Sequence, residues 1–513
     1  MKSHSVYPLV ALALLTWQLQ AQEAPTGTND IKALLQRIEE LEQKVKALEQ
    51  NQKPSVDTNA AAREEKIQEL DQKVKALQRN RELDEEAAET NARQLPQISL
   101  GADGFVLRSA DTNFAVQLGG VLQADSRSFF EDHGIAGNDG LLLRRARPVL
   151  SGTVFRDFDF LFVPDFGTAN NGGNGGSSTP TIFDAYLNYR FTPELQLRGG
   201  KMKSPVGLEQ LVADRDLLFN ERALPTDLVP NRDIGFALWG DLFRGVANYS
   251  VGIYNGLGDA RSSGNSDFED DKAFEGRVFL LPFKNTGIGA FEKLGMGVGG
   301  SYESMHGTNT LGLPNTTGGS LPGYASVGQQ QFFAYNPANK SVVVADGEHW
   351  RISPQGYWYY GPFGVLGEYV VSNQRVTRTG TNTQPVMQLN NTAWQVAGSW
   401  VLTGEDATYY TVVPRHSFHP SSGGWGAWQL VARYSELDID SDAFPLFADP
   451  KTSAHKAQEW SVGLNWYLNR NVSLRTSFAH TWFQGGGGST TSAPGNVSRQ
   501  AENVLFTRFQ LAF

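Results

Sequence analysis

The 513-residue chain has no cysteine, and it has no apolar run approaching the roughly 18 residues that a helical membrane span needs. The first absence excludes a disulfide framework and fits a compartment where stray thiols would oxidise. The second excludes a helical membrane protein. An excess of positive charge is missing as well. The formal net charge is −10, which argues against nucleic acid as a partner. Histidines are few, and His416, His419, His455 and His480 are scattered without ligand spacing, so no metal, no cofactor and no catalytic constellation is expected.

Aromatic residues and glycine are plentiful: 30 Phe, 16 Tyr, 11 Trp and 54 Gly. The terminal stretch LFTRFQLAF alternates throughout. Leu505, Thr507, Phe509, Leu511 and Phe513 share one face, and Phe506, Arg508, Gln510 and Ala512 share the other. A soluble sandwich edge would end so, and an outer-membrane barrel strand, apolar to lipid and polar to the lumen, should. A closing Phe is also what the sorting signal of such barrels looks like.

The one hydrophobic block, Val6 to Leu15, follows Lys2 and His4 and precedes Leu19-Gln20-Ala21, which reads as a signal peptide over residues 1–21. Residues 22–97 then form a separate segment. Ile31, Leu34, Ile38, Leu41, Val45 and Leu48 make an a/d heptad seam in Asn29 to Gln52, and Ile67, Leu70, Val74 and Leu77 resume it after Pro54. IEELEQKVKALEQ and KIQELDQKVKALQ are near copies. This pattern predicts a short α-helical coiled coil, formally two-stranded, with a solvated single helix as the alternative.

From residue 98 onward short alternating segments are separated by Gly, Asn, Asp and Ser clusters such as Asn170 to Ser178, Ser262 to Asp271 and Gly485 to Ser489. Predicted strands are Phe114 to Asp125, Leu142 to Phe155, Ile182 to Phe191, Leu195 to Lys203, Gly235 to Leu242 and Val246 to Tyr254. Ala273 to Leu281, Phe363 to Val371, Trp394 to Leu402, Trp428 to Leu437, Glu459 to Leu468 and Val472 to Trp482 follow. With the final strand and weaker segments the total approaches 16, at about 26 residues per strand and loop. The fold expected for 98–513 is therefore all-β, a 16-stranded antiparallel transmembrane β-barrel. Trp394, Trp400, Trp425, Trp428, Trp460, Trp466 and Trp482 lie near strand ends, where aromatic girdles would sit.

Alternation also assigns faces. Phe183, Ala185, Leu187, Tyr189 and Phe191 are expected to point out, and Asp184, Tyr186, Asn188 and Arg190 in. The same parity places Arg198, Arg277, Arg433, Arg475 and Arg508 inside, and gives Arg145 and Arg147 one face of the strand that also carries Arg144. Such an array attracts small anions, with forks that suit oxyanions; the alternative is a general porin with arginines facing an acidic loop. Residues 1–97 hold 13 basic and 16 acidic residues, so the remaining 31 and 38 leave the presumed barrel acidic. Any anion preference must come from where the arginines point.

Between Lys203 and Gly235 lies a stretch without alternation and too apolar for a surface loop. Leu208, Leu211, Leu217, Leu218 and Phe219 suggest packing inside the barrel, with Glu209, Asp214, Arg215, Asp216, Glu221, Arg222, Arg232 and Asp233 available to line a constriction. The alternative is a loop folded over a neighbouring subunit.

FAVQLGGVLQAD, LLRRARPVLSG, FRDFDF, FDAYLNYRF, LQLRGGKMKSPVGLE, LLFNERAL, VPNRDIG, LTGE, WQLVARYS and VGLNWYLNRNVSL follow one another along the chain. In this order the sequence resembles the phosphate-selective porins O and P over most of 98–513. The resemblance implies a homotrimeric outer-membrane channel whose arginine ladder and central constriction pass phosphate or related anions, with the N-terminal segment in the periplasm. Arg144 and Arg145 match the family's paired arginines, Asp184 its lumen aspartate and Arg222 the arginine of its constriction loop. Two positions depart: Val121 and Gln210 stand where the family has an arginine and a lysine, so the resemblance implies a depleted basic cage. The expected function is passive diffusion of small solutes with an anion bias. A weakly selective general porin and a structural tether, its coiled coil reaching the cell wall, are the alternatives.

Overall fold

The computed structural model describes residues 39–47, 60–130, 139–167, 180–265, 270–307, 321–335, 342–379, 385–488 and 497–513. The expected signal peptide and most of Asn29 to Gln52 lie outside them. Two compact units divide the chain at Gln94 and Leu95.

In the first unit residues 39–47 are helical, and Ala60–Gln94 is one 35-residue helix. Its interior has neither Gly nor Pro and is rich in straight-chain residues that lose little rotamer freedom in a helix. Asp71–Lys75 at 2.8 Å and Arg81–Glu85 at 3.0 Å bridge successive turns, each contributing a few tenths of a kcal/mol. Along the seam Leu70 and Val74 are half-buried, and Ile67 and Leu77 are exposed.

The second unit is built on antiparallel strands: β1 (Gln97–Gly101), β2 (Gly104–Arg108), β3 (Ala115–Phe130), β4 (Gly140–Val154), β5 (Phe158–Asp165), β6 (Thr181–Thr192), β7 (Leu195–Lys203), β8 (Arg232–Leu242), β9 (Ala247–Tyr254), β10 (Ala273–Leu280), β11 (Lys293–His306), β12 (Gly323–Ala325), β13 (Gln331–Ala334), β14 (Val342–Tyr360), β15 (Phe363–Thr379), β16 (Val386–Val401), β17 (Ala427–Asp438), β18 (Ala454–Tyr467), β19 (Val472–Gly485) and β20 (Glu502–Ala512). The main sheet has 18 strands. β1 and β2 are a hairpin laid on the lower part of β3, and the other 16 pair in chain order until β20 meets β3, closing the barrel. β12 and β13 form a separate hairpin. Among the described residues each of the 16 barrel strands has a partner on both sides, so the closed wall presents no open edge to lipid.

The closing seam shows why the last residues are aromatic and the facing ones glycine. Phe513 and Gly120 exchange two backbone hydrogen bonds at 2.9 and 3.0 Å. A Cβ on Gly119 would stand 2.4 Å from the Phe513 carbonyl oxygen, so only glycine admits that approach. On β20 Arg508 and Gln510 are buried in the lumen while Leu505, Phe509 and Leu511 face outward, as the alternation predicts. Outward aromatic residues gather near both strand ends: Trp428 stacks on Trp466 at 4.8 Å toward one end, and Trp394 meets Tyr434 at 5.2 Å toward the other.

Three barrel strands escape the alternation pattern. β5 carries Leu161 and Val163 on its lumen side, β11 is glycine-rich, and β14 contains Pro354 and a register jump between Ala345 and His349 around Gly347, whose φ is +120°. Each breaks the apolar/polar period locally without losing the ladder.

Candidate functional site: the lumen constriction

Residues 204–231, between β7 and β8, fold inside the barrel. The segment holds a single helical turn at Leu208–Leu211 and a 3-10 turn at Leu224–Leu228. Val206, Leu208, Leu217, Phe219, Leu224 and Leu228 are all buried, which accounts for their apolar character in a connection. Leu208 N–H donates to Glu368 of β15 at 2.7 Å, and Asn465 of β18 donates to the Leu218 carbonyl at 2.9 Å, fixing the segment against the wall.

The loop's carboxylates meet the wall's arginines. Arg144 grips Glu221 with two bonds of 2.7 and 2.9 Å, Arg127 reaches the same carboxylate at 3.0 Å and Arg508 at 3.5 Å. Asp214 takes Arg222 at 2.6 Å, Arg145 at 3.3 Å and Arg147, which also holds Asp165 at 2.6 Å. Arg433 lies between Glu459 at 3.2 Å and Glu209 at 3.5 Å. Burial on its own raises the Glu221 carboxyl, and Arg144 and Arg127 more than reverse this; Asp214 is likewise raised by burial and driven well below the usual range by Arg145, Arg222 and Arg147. Both are charged partners that neutralise the arginines beside them.

Two bulges decide which groups face in. Pairing steps from Gln123–Arg145 to Ala124–Leu143, so Arg144 is an extra residue and both it and Arg145 are buried in the lumen with Arg147. Strict alternation would have turned Arg144 to lipid. A second step, from Val163–Asp184 to Pro164–Ile182, leaves Phe183 unpaired. Instead of facing out, as its parity predicts, its ring lies between the guanidinium groups of Arg147 and Arg232, each 3.4 Å from the centroid.

The other expected arginines differ in their partners. Arg198 sits over Tyr186 at 4.5 Å and Trp239 at 4.6 Å. Arg277 donates to Gln355 at 2.9 Å and covers Phe279. Arg475 donates to the carbonyls of Leu217 and Arg215. Arg215 is half-exposed with Asp216 at 3.7 Å, and Arg190 is exposed near Asp159 at 3.4 Å, at a strand end away from the constriction. Asp184 holds Arg232 at 3.2 Å. Gln210 bonds Asn231 and is buried, and Val121 faces the lumen beside Arg147. Asp125 and Arg127 belong to the site and extend the parity of Gln123; carrying the β3 pattern past Asp125 would have found Arg127.

One contribution was not foreseen as part of the site, although the family-like LTGE stretch, Leu402 to Glu405, begins it. Residues 402–426 connect β16 to β17 at the end where most turns are short, the periplasmic end of outer-membrane barrels. They enter the lumen: Tyr409 Oη donates to the Leu208 carbonyl at 2.8 Å, and Thr411 N–H donates to Asp216 at 3.1 Å. The sequence signal is the length of a connection where a tight turn belongs.

A closed, lipid-faced antiparallel barrel whose lumen is narrowed by infolded, charge-paired segments defines an outer-membrane channel. The sequence profile of the family "Phosphate-selective porin O and P" matches residues 116–513, and the chain belongs to that family. Porin O of Pseudomonas aeruginosa is 26% identical over 395 residues, 73% of this chain and 84% of that protein. Among solved structures, the outer membrane channel DcaP of Acinetobacter baumannii is 12% identical with a TM-score of 0.45, covering 78% of this chain and 98% of its own. OmpT of Vibrio cholerae is 11% identical with a TM-score of 0.43, covering 78% and 98%.

Proposed function

We propose that this outer-membrane porin, a channel and not an enzyme, passes small solutes passively with a preference for anions, phosphate-like oxyanions among them. One observation carries the reading: Arg198, Arg277 and Arg475 contact rings, an amide and carbonyl oxygens, and among the described residues none of the three forms an ion pair with a carboxylate. The half-buried Arg198 and Arg277 keep their charge available to a passing anion, and the fully buried Arg475 adds only a more distant field. Arg144, Arg145, Arg147, Arg222 and Arg433, tied to Glu221, Asp214, Glu209 and Glu459, shape the constriction and contribute less net potential. With Val121 and Gln210 at two positions where the family resemblance places basic residues, phosphate is favoured weakly.

The working unit is a homotrimer by the same resemblance. The β1–β2 hairpin supports a periplasmic N-terminal segment, since Asn471 in the short β18–β19 turn donates to the Ala102 carbonyl at 2.7 Å. Nothing in the described residues favours the cell-wall tether. The test is the reversal potential of planar bilayers in a KCl gradient with phosphate as competitor. A chloride-side potential reduced by changing Arg198, Arg277 and Arg475 to Gln supports the proposal; cation preference in the unaltered protein overturns it.

A further inference from the structure

Three of the short turns carry an aromatic residue followed at once by a basic one: Phe155-Arg156 between β4 and β5, Phe243-Arg244 between β8 and β9, and Phe283-Lys284 between β10 and β11. The first two pairs share a backbone state that neither residue type prefers. Phe155 and Arg156 have φ of +50° and +66°, and Phe243 and Arg244 have φ of +54° and +59°. Seven non-glycine residues have positive φ among the described residues, and these are four of them. The Leu242 carbonyl accepts the Gly245 N–H at 3.0 Å, so Phe243 and Arg244 are the centre of a hairpin turn whose left-handed positions ordinarily go to asparagine and glycine. Bulky side chains there hold the backbone in a strain that Asn-Gly would not.

Packing within the protein does not offset that strain. Phe155 and Phe243 are 70% and 76% exposed, at the tips of strands whose outward residues, such as Phe158 and Leu238, are apolar. Phe155 touches only another exposed ring, Phe114, at 5.1 Å between centroids. The cations are free as well. Arg190, Lys293 and Arg470, at the same end of the barrel, are ion-paired with Asp159, Asp406 and Asp103. Arg156, Arg244 and Lys284 are exposed, and among the described residues none of them has a carboxylate within ion-pair distance. Lys284 Nζ donates to the Gly245 carbonyl at 3.2 Å, which brings its ammonium to the Phe243-Arg244 turn.

An aromatic girdle accounts for rings at strand ends, and not for an unpaired cation after each ring or for the left-handed backbone. Short turns mark the periplasmic end of an outer-membrane barrel, where a ring at the wall meets acyl chains and a cation beside it meets headgroup phosphates. Both contacts are favourable, one by removing apolar area from water and the other by charge. From these turns we infer that Phe243, Arg244 and Lys284 form a docking surface for an anionic phospholipid of the periplasmic leaflet. The phosphate lies on the two cations and an acyl chain against the ring, and Phe155 with Arg156 repeats the arrangement with one cation. The turns are apart from the constriction, so the inference does not depend on the selectivity of the channel.

The test places the full-length porin in phosphatidylcholine vesicles with a trace of spin-labelled phosphatidylglycerol or spin-labelled phosphatidylcholine. Electron paramagnetic resonance reads the fraction of each label slowed at the protein surface. Averaged over the boundary, phosphatidylglycerol is expected to associate about twofold or more better than phosphatidylcholine. Arg244→Gln with Lys284→Gln should remove most of that excess, and adding Arg156→Gln should remove the rest. Phe243→Asn relieves the turn, so the thermal transition in detergent should stay at or above that of the unaltered protein while the phosphatidylglycerol excess falls. A lowered transition with an undiminished excess would make Phe243 a structural residue and overturn its part in the surface. Inorganic phosphate in large excess over the label should leave the lipid in place; displacement would assign the cations to free phosphate and overturn the lipid. Equal association of the two lipids with the unaltered porin, or an excess that survives the triple substitution, overturns the docking surface.

Discussion

Tyr409 and Leu208 join the two segments that enter the barrel from opposite ends: the phenol donates to the carbonyl at 2.8 Å inside the lumen. Neither residue is on a strand, and they lie 201 positions apart. The constriction is therefore a meeting of two connections, and the freedom of one depends on the other.

Tyr409→Phe should loosen this junction. The net value of one such bond is about 1 kcal/mol, too little to unfold a barrel and enough to raise the population of detached loop severalfold. Single-channel recordings should show greater open-channel noise at unchanged mean polarity. Noise equal to that of the unaltered protein would mean that Thr411 and Asp216 hold the junction alone.

Glu221→Gln tests the pairing of the arginines. Arg144, Arg127 and Arg508 would lose their shared carboxylate, and breaking a buried pair from one side costs about 3 kcal/mol. The thermal transition of the folded barrel on gels should fall, and the reversal potential should move further toward anions, because guanidinium charge is released. A shift toward cations would contradict the arrangement.

The outer loops should respond to acid. Asp259, on the β9–β10 connection, is held by Arg351 at 2.7 Å and accepts from Ser372 and Tyr324 at 2.8 and 3.0 Å. Burial pushes its carboxyl up, and Arg351 and then His349 bring it down from the ordinary 3.8 to about 2. A carboxyl lowered on folding stabilises above its ordinary value and loses that contribution as pH falls through the folded value. The stabilisation, about 2 kcal/mol, should thus disappear between about pH 4 and pH 2. Pepsin cleavage near Leu257 should rise over that interval, and Asp259→Asn should be cleaved already at pH 4. A pH-independent cleavage rate would place the restraint elsewhere.

The N-terminal helices offer a separate measurement. Leu41 and Val45 are half-buried within residues 39–47, and their seam continues through Leu70 and Val74. If the helices associate, replacing Leu41 and Val45 by Asp puts charge into an apolar seam and should reduce the mass of the detergent-extracted oligomer. An unchanged mass would assign oligomer stability to the barrel alone.

Alternation along single strands was enough to mark most of the barrel strands and to assign an inward face to arginines such as Arg198, Arg277, Arg433, Arg475 and Arg508, because a closed sheet between lipid and water imposes opposite solvents on successive side chains. The apolar run from Val206 to Leu228 likewise announced a connection with a buried destination. What period two could not express was decided by the tertiary structure. Bulges at Arg144 and Phe183 turn residues against their parity, since an inserted residue reverses the face of everything beyond it. The neutralising of Arg144 by Glu221 and of Arg145 by Asp214, and the entry of 402–426 to meet Leu208, join positions far apart in the chain. No local pattern records such contacts, because their partners are chosen by the geometry of a closed lumen and not by neighbours in sequence.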